Sequence, residues 1–205
     1  MELLILFGVG LSTGLSGAMI PGPLFLYTVS EAFHDGQVVG LKVALGHLLL
    51  EACFVALVVF GLRDLLLSGM FRATVAWVGG IGLVVMGLLI LTNVRHLSLS
   101  RRAEVHFRWG AVLGGAFFSI ASPGFLIWWA TIGTSVLLQG VLAGTTGIVM
   151  VATGHAIADG VWYWLVALSV ERGRRYCDDQ VYRAIMKAIA LCLLLLGVGL
   201  PIKQR

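Results

Sequence analysis

The sequence predicts an all-α polytopic membrane protein with six transmembrane helices. They fall into two inverted three-helix repeats, with Pro-Gly breaks in the first and fourth helices. Three observations predict this. Of 205 residues, 59% are hydrophobic and only 12% charged, which is far from the balance of a soluble domain. The apolar residues gather in runs too long for strands and without period-two alternation. And one pattern occurs twice, in the same order: a Pro-Gly break, then Gly-His with an acid four residues after the histidine.

In chain order, the first span runs over about 3–30, interrupted by Pro21-Gly22-Pro23, and a polar turn follows from Glu31 to Gly36. The second span is about 37–62. Arg63, Asp64 and Arg72 mark a short loop, and the third span is about 73–93. The longest polar segment, about 95–108, carries Arg95, Arg101, Arg102, Glu104 and Arg108. The fourth span, about 109–137, is interrupted by Ser122-Pro123-Gly124. The fifth is about 141–170; Glu171 to Arg183 is a second charged loop, and the sixth span is about 184–201. Crossing a bilayer takes roughly 20 residues, so the longer runs are expected to tilt or kink. The chain reads as one transmembrane domain, residues 1–205: repeat 1 over about 1–94, the charged loop, then repeat 2 over about 109–205. Glycines at short spacing, such as Gly8, Gly10, Gly14 and Gly17, fit close helix packing. The start, Met1-Glu2-Leu3-Leu4, has no basic region, so no cleaved signal peptide is expected. Cys53, Cys177 and Cys192 have no metal or redox spacing, and no disulfide is expected.

Basic residues on such a chain are orientation signals rather than a nucleic-acid surface. With six crossings, one side holds Arg95, Arg101, Arg102, Arg108, Arg172, Arg174, Arg175 and Arg183. The other holds Arg63, Arg72, Lys203 and Arg205. The first set is therefore expected in the cytoplasm, with both termini outside.

The repeat is Gly46-His47-Leu48-Leu49-Leu50-Glu51 against Gly154-His155-Ala156-Ile157-Ala158-Asp159. The copies lie 108 residues apart; the breaks at Pro21 and Pro123 lie 102 apart. Three crossings per half is an odd number, so the second half enters from the opposite side, the inverted arrangement of many secondary transporters. Each histidine shares a helix face with its acid, one turn apart. Both pairs fall near mid-span. The acids then lie about 6 Å from their histidines, one toward each membrane face. Helices two and five are expected to be adjacent, with both imidazoles turned inward.

An ionisable side chain at the centre of a span costs about 2.5–3.5 kcal/mol on insertion scales, and its default reading is functional. The plainer alternative is a pair of buried polar clamps joining the halves. Pro21 and Pro23 lack N–H donors and leave carbonyls near Gly17 and Met19 without helical partners. Such backbone persists at membrane depth where it is buried or lines a cavity. Trp128 and Trp129 follow the second break by a turn and are candidates for the cavity wall. The candidate substrate or proton site is therefore Pro21, Gly22, Pro23, Gly46, His47, Glu51, Ser122, Pro123, Gly124, Trp128, Trp129, Gly154, His155 and Asp159. Trp162, Tyr163 and Trp164 are read as packing or interfacial belt.

Pro21-Gly22-Pro23, Gly40 through Ala44-Leu45-Gly46-His47, Ser122-Pro123-Gly124-Phe125-Leu126-Ile127-Trp128-Trp129 and Gly154-His155 through Asp159 to Trp162-Tyr163 together resemble the lysine-exporter (LysE/RhtB-type) translocators, over nearly the whole chain. The resemblance implies an inner-membrane exporter of amino acids or related small solutes, driven by the proton gradient. One departure is Ser122-Pro123, where the family often has Asn-Pro; the hydroxyl keeps hydrogen bonding but not the amide, so substrate choice does not carry over.

Three function classes are open to such a chain. A proton-coupled exporter would hold the solute's carboxylate and amine at the broken-helix ends, with Glu51 and Asp159 taking protons or the amine. A divalent-metal transporter would use His47, Glu51, His155 and Asp159 as ligands. A membrane enzyme fits worst: Ser122 has no base near it in sequence. No cofactor and no nucleic acid are expected; the partners are a small solute, the lipid bilayer and, as small residues permit, a second copy in a homodimer.

Overall fold

The computed structural model describes residues 1–20, 22–59, 69–96 and 110–202. Pro21, the loop with Arg63 and Asp64, Arg101 to Arg108, and Lys203 and Arg205 lie outside the described residues. Among the described residues every regular element is helical: α1 Glu2–Ala18, α2 Pro23–Asp35, α3 Val38–Val59, α4 Gly69–Asn93, α5 Gly110–Ile120, α6 Pro123–Trp128, a π-helical turn Trp129–Gly133, α7 Thr134–Leu142, α8 Gly144–Gly173 and α9 Asp179–Ile202.

By length and composition, Val38–Ala56 and Asp179–Gly199 can each cross a membrane, and α1 with α2 forms a third candidate bent by 77°. The bend follows from sequence. Gly22 caps α2 in an extended conformation and Pro23 takes its first position, where the missing N–H costs nothing. Helix α8 is the longest element among the described residues, at 30 residues, yet His155 and Asp159 interrupt its apolar run.

Three expected boundaries move. Glu31, expected in a polar turn, is buried within α2, which runs on to Asp35. The turn itself is short, made at Gly36 with φ 67°, where a side chain would be strained. The expected loop 171–183 is largely helical: α8 ends at Gly173 and α9 starts at Asp179, with Asp178 accepting a bond from the Val181 N–H (2.7 Å). Such a cap satisfies an otherwise orphaned amide. Third, the fourth span breaks between Ile120 and Pro123 but runs past its expected end near 137, to Leu142. The chain continues through α6, a π turn and α7, and reverses at Gly144 with φ 76°.

Four helix pairings position the site. Helix α1 packs along α8, α5 along α3, α4 along α9, and α3 against α8. Glycines set the closeness of two of them. A Cβ on Gly154 of α8 would strike the Phe7 carbonyl and the Leu11 amide of α1, and one on Gly10 would strike Val151. In the same way Gly46 of α3 abuts Val112 of α5, and Gly115 abuts Val43. Small residues let helix backbones approach and gain dispersion contact where apolar burial alone gives no drive.

The charged end of α8 ties down the α2–α3 turn. Glu171 Oε2 accepts from the Gln37 N–H at 2.8 Å, and Arg174 donates to the Phe33 carbonyl at 3.0 Å. Tyr182, fully buried on α9, meets His34 at 2.6 Å and packs against Phe33. Cys53 and Cys192 are exposed thiols and Cys177 is half-buried.

Candidate functional site

Helices α3 and α8 cross with their His-acid faces toward each other, and the two pairs meet. His47 Nε2 lies 3.5 Å from Glu51 Oε1 on its own helix and 3.6 Å from Asp159 Oδ2 across the interface. His155 Nε2 lies 3.0 Å from Glu51 Oε1 and 3.2 Å from Asp159 Oδ2. The four side chains form one cluster rather than two separate pairs. Asp159 is 1% exposed, Glu51 5% and His47 7%, so solvent screening is weak and each contact counts for more than at a surface.

A second ring of residues orients the cluster. Trp129 donates its indole N–H to Glu51 Oε1 at 3.1 Å. It opens the π-helical turn, which widens the helix and re-aims the side chain; such turns recur at functional sites. His47 Nδ1 lies 2.8 Å from Ser119 Oγ on α5. Aromatic rings close the sides: Phe125 and Tyr163 stand edge-on to the His47 ring, with centroids 5.6 and 5.9 Å away, and Trp128 leans on His155 at 4.8 Å.

The cluster lines a cavity of about 50 Å³ that also reaches the two breaks, through Gly22, Leu24 and Phe25 on one side and Ser122, Gly124 and Phe125 on the other. Glycines of α1 make the room. A Cβ on Gly14 would come within 2.6 Å of His155 Nδ1, and one on Gly17 within 3.0 Å of Trp128 Nε1. Among the described residues, the lining includes two carboxylates and two imidazoles and no lysine or arginine. Such a cavity favours a cationic group or protons.

Of the residues singled out by sequence, the structure brings together His47, Glu51, His155, Asp159, Trp128 and Trp129, with Gly22, Ser122 and Gly124 at the cavity wall. Gly46 and Gly154 sit at the α3–α5 and α8–α1 crossings, one residue before each histidine, and set helix spacing. Pro23 is buried at the start of α2, Pro123 opens α6, and Pro21 lies outside the described residues. Ser119, Phe125 and Tyr163 join the site without having been singled out. Tyr163 was readable: it follows Asp159 by four residues, so His155, Asp159 and Tyr163 share one helical face. Nothing in the sequence marks Ser119, because its role depends on α5 lying against α3.

The family model for LysE type translocators matches residues 15–204. No curated protein and no solved structure matches the chain.

Proposed function

The chain belongs to the LysE type translocator family, and from that premise we propose that it exports amino acids or related small solutes across the inner or plasma membrane in exchange for protons. It is an integral membrane protein of a transporter family, not of an enzyme family. The observation that carries the finer reading is the four-residue cluster: two His-acid pairs, one from each half of the chain, converge beside a cavity bounded by both helix breaks.

Each part of that cavity has a chemical task under this reading. The start of α2 at Gly22 has no side-chain cap. Its free amides carry the positive end of the helix dipole and suit the solute's carboxylate. Glu51 and Asp159 suit the amine or a coupling proton. Once the solute has left, protons can neutralise the carboxylates that its amine had paired, so protons and solute compete for one site. Competition of that kind is enough to couple them.

The six-span inverted repeat supports alternation between two facing states. The helix pairings agree with it: exchanging first for fourth, second for fifth and third for sixth spans turns the α1–α8 contact into α5–α3 and maps α3–α8 and α4–α9 onto themselves. Rocking one repeat against the other would open the cavity to each side in turn. Under this reading the arginine-rich loops are cytoplasmic and both termini are outside.

The test is accumulation. Cells expressing the chain are loaded with a panel of amino acids and divalent metals, and intracellular content is followed. Lowered content of one or more amino acids is expected; unchanged amino-acid content with lowered metal would replace this reading with metal export.

A further inference from the structure

We propose that His47 Nε2, Glu51 and Asp159 form a binding site for a first-row divalent cation of the zinc kind, held in place by Ser119 and His155, and that the bound cation locks the two halves of the transporter together.

Ser119 settles which nitrogen of His47 is free. A serine hydroxyl has one hydrogen, and Ser119 Oγ donates it to the Gly115 carbonyl at 2.6 Å. It can then offer His47 Nδ1, 2.8 Å away, only lone pairs. Nδ1 must therefore carry the hydrogen, and neutral His47 presents a bare lone pair at Nε2. This is the arrangement of a metal-ligating histidine, whose other ring nitrogen donates to a fixed acceptor.

That lone pair faces the right partners. Nε2 lies 3.5 Å from Glu51 Oε1 and 3.6 Å from Asp159 Oδ2, and ligand atoms of the three residues all lie within 4.8 Å of one another. Bonds of about 2.0–2.2 Å to one ion place neighbouring donors roughly 3.0–3.5 Å apart, so little movement is needed. Asp159 Oδ2 is buried and makes no hydrogen bond of good geometry. His155 Nε2 is placed to donate its one hydrogen to Glu51 Oε1 at 3.0 Å and fix that carboxylate's orientation, and it lies 3.2 Å from Asp159 Oδ2.

Charge points the same way. Two carboxylates share the site and, among the described residues, no lysine or arginine lines it, so a divalent cation would neutralise them in one step. One imidazole and two carboxylates suit zinc, cobalt or manganese better than a soft, thiolate-seeking ion. The cavity of about 50 Å³ leaves space for water to complete the shell, since about 10–15 Å³ of probe volume suffices for one. His47 and Glu51 come from α3 and Asp159 from α8, so the ion would bridge elements that alternation must move apart.

The locking part rests on the transporter reading; the binding part does not. Tag-free protein in detergent is titrated with cobalt(II) and its visible absorption recorded. One cobalt per chain is expected, with zinc displacing it. Glu51→Gln, Asp159→Asn and His47→Ala should each abolish the signal, at unchanged elution in gel filtration. Ser119→Ala, which keeps all three ligands, should weaken affinity by about 10–100-fold. No saturable signal, or one that survives Glu51→Gln, overturns the site. In proteoliposomes, zinc should stop solute exchange without itself crossing; zinc entry would overturn the lock. Absence of any solute exchange in metal-free protein would instead count against the transporter reading and leave the cobalt result intact.

Discussion

Glu51 is held more closely by His155, 3.0 Å away on α8, than by His47, 3.5 Å away on its own helix. The pairs that the sequence displays, at i and i+4, are therefore not the whole pairing that the fold uses. His155 lies against both carboxylates and is the junction of the cluster.

That position sets an order of sensitivity. His155→Ala leaves Glu51 and Asp159 facing each other in the buried cluster without the imidazole between them, a loss of about 3–5 kcal/mol where that contact is an ion pair. Trp129→Phe removes one hydrogen bond to Glu51 and keeps most of the ring, at about 1.5–3 kcal/mol for a bond to a charged group. Thermal unfolding of the detergent-purified variants should place His155→Ala below Trp129→Phe, and both below wild type. The reverse order would show that His155 is not the junction.

The glycine crossings make a second prediction. Gly154→Val drives a side chain into the Phe7 carbonyl and pushes α1 from α8, carrying His155 with it. Overpacking of this kind costs about 1–3 kcal/mol, and transport should fall with stability. Gly160→Ala, on the same helix, meets nothing within 4 Å and should stay within about 0.5 kcal/mol of wild type. Equal melting of both variants would show that the α1–α8 approach does not depend on Gly154.

Much of this was legible in the sequence. Histidines and acids are conspicuous where 59% of residues are hydrophobic, and helical spacing alone put each pair on one face. The breaks were legible because Pro21, Pro23 and Pro123 admit few backbone alternatives. What was not legible depends on rotation and register between helices. Trp129 reaches Glu51 through a π turn that no residue between Trp129 and Gly133 announces. Ser119 becomes a partner of His47 only because Gly46 and Gly115 let α3 and α5 touch. The early start of α9 was hidden because Asp178, Asp179 and Arg183 read as loop; their charges cap and face outward from a helix whose buried side is Tyr182 and Met186.

Orientation is open to direct labelling. Cys177 is half-buried just before α9, in the arginine-rich segment assigned to the cytoplasm. In a variant with Cys53 and Cys192 changed to Ala, a membrane-impermeant maleimide should label Cys177 in inside-out vesicles and miss it in intact cells. Labelling in intact cells would reverse the assignment, and with it the side from which solute loads.

If the cluster couples solute to protons, gradient-driven export and exchange should respond differently to loss of either carboxylate. Purified wild type, Glu51→Gln and Asp159→Asn are placed in proteoliposomes with an exported amino acid. Export is measured under an imposed pH gradient, and exchange at equal pH with solute on both sides. Each substitution should abolish the gradient-driven component while exchange persists, because exchange moves no net proton. Asp159→Asn should be the more severe, since the proposed orientation puts Asp159 toward the cytoplasmic side, where an exporter would load solute. Wild-type rates in both assays for both variants, at equal protein content, would show that neither carboxylate carries the coupling proton.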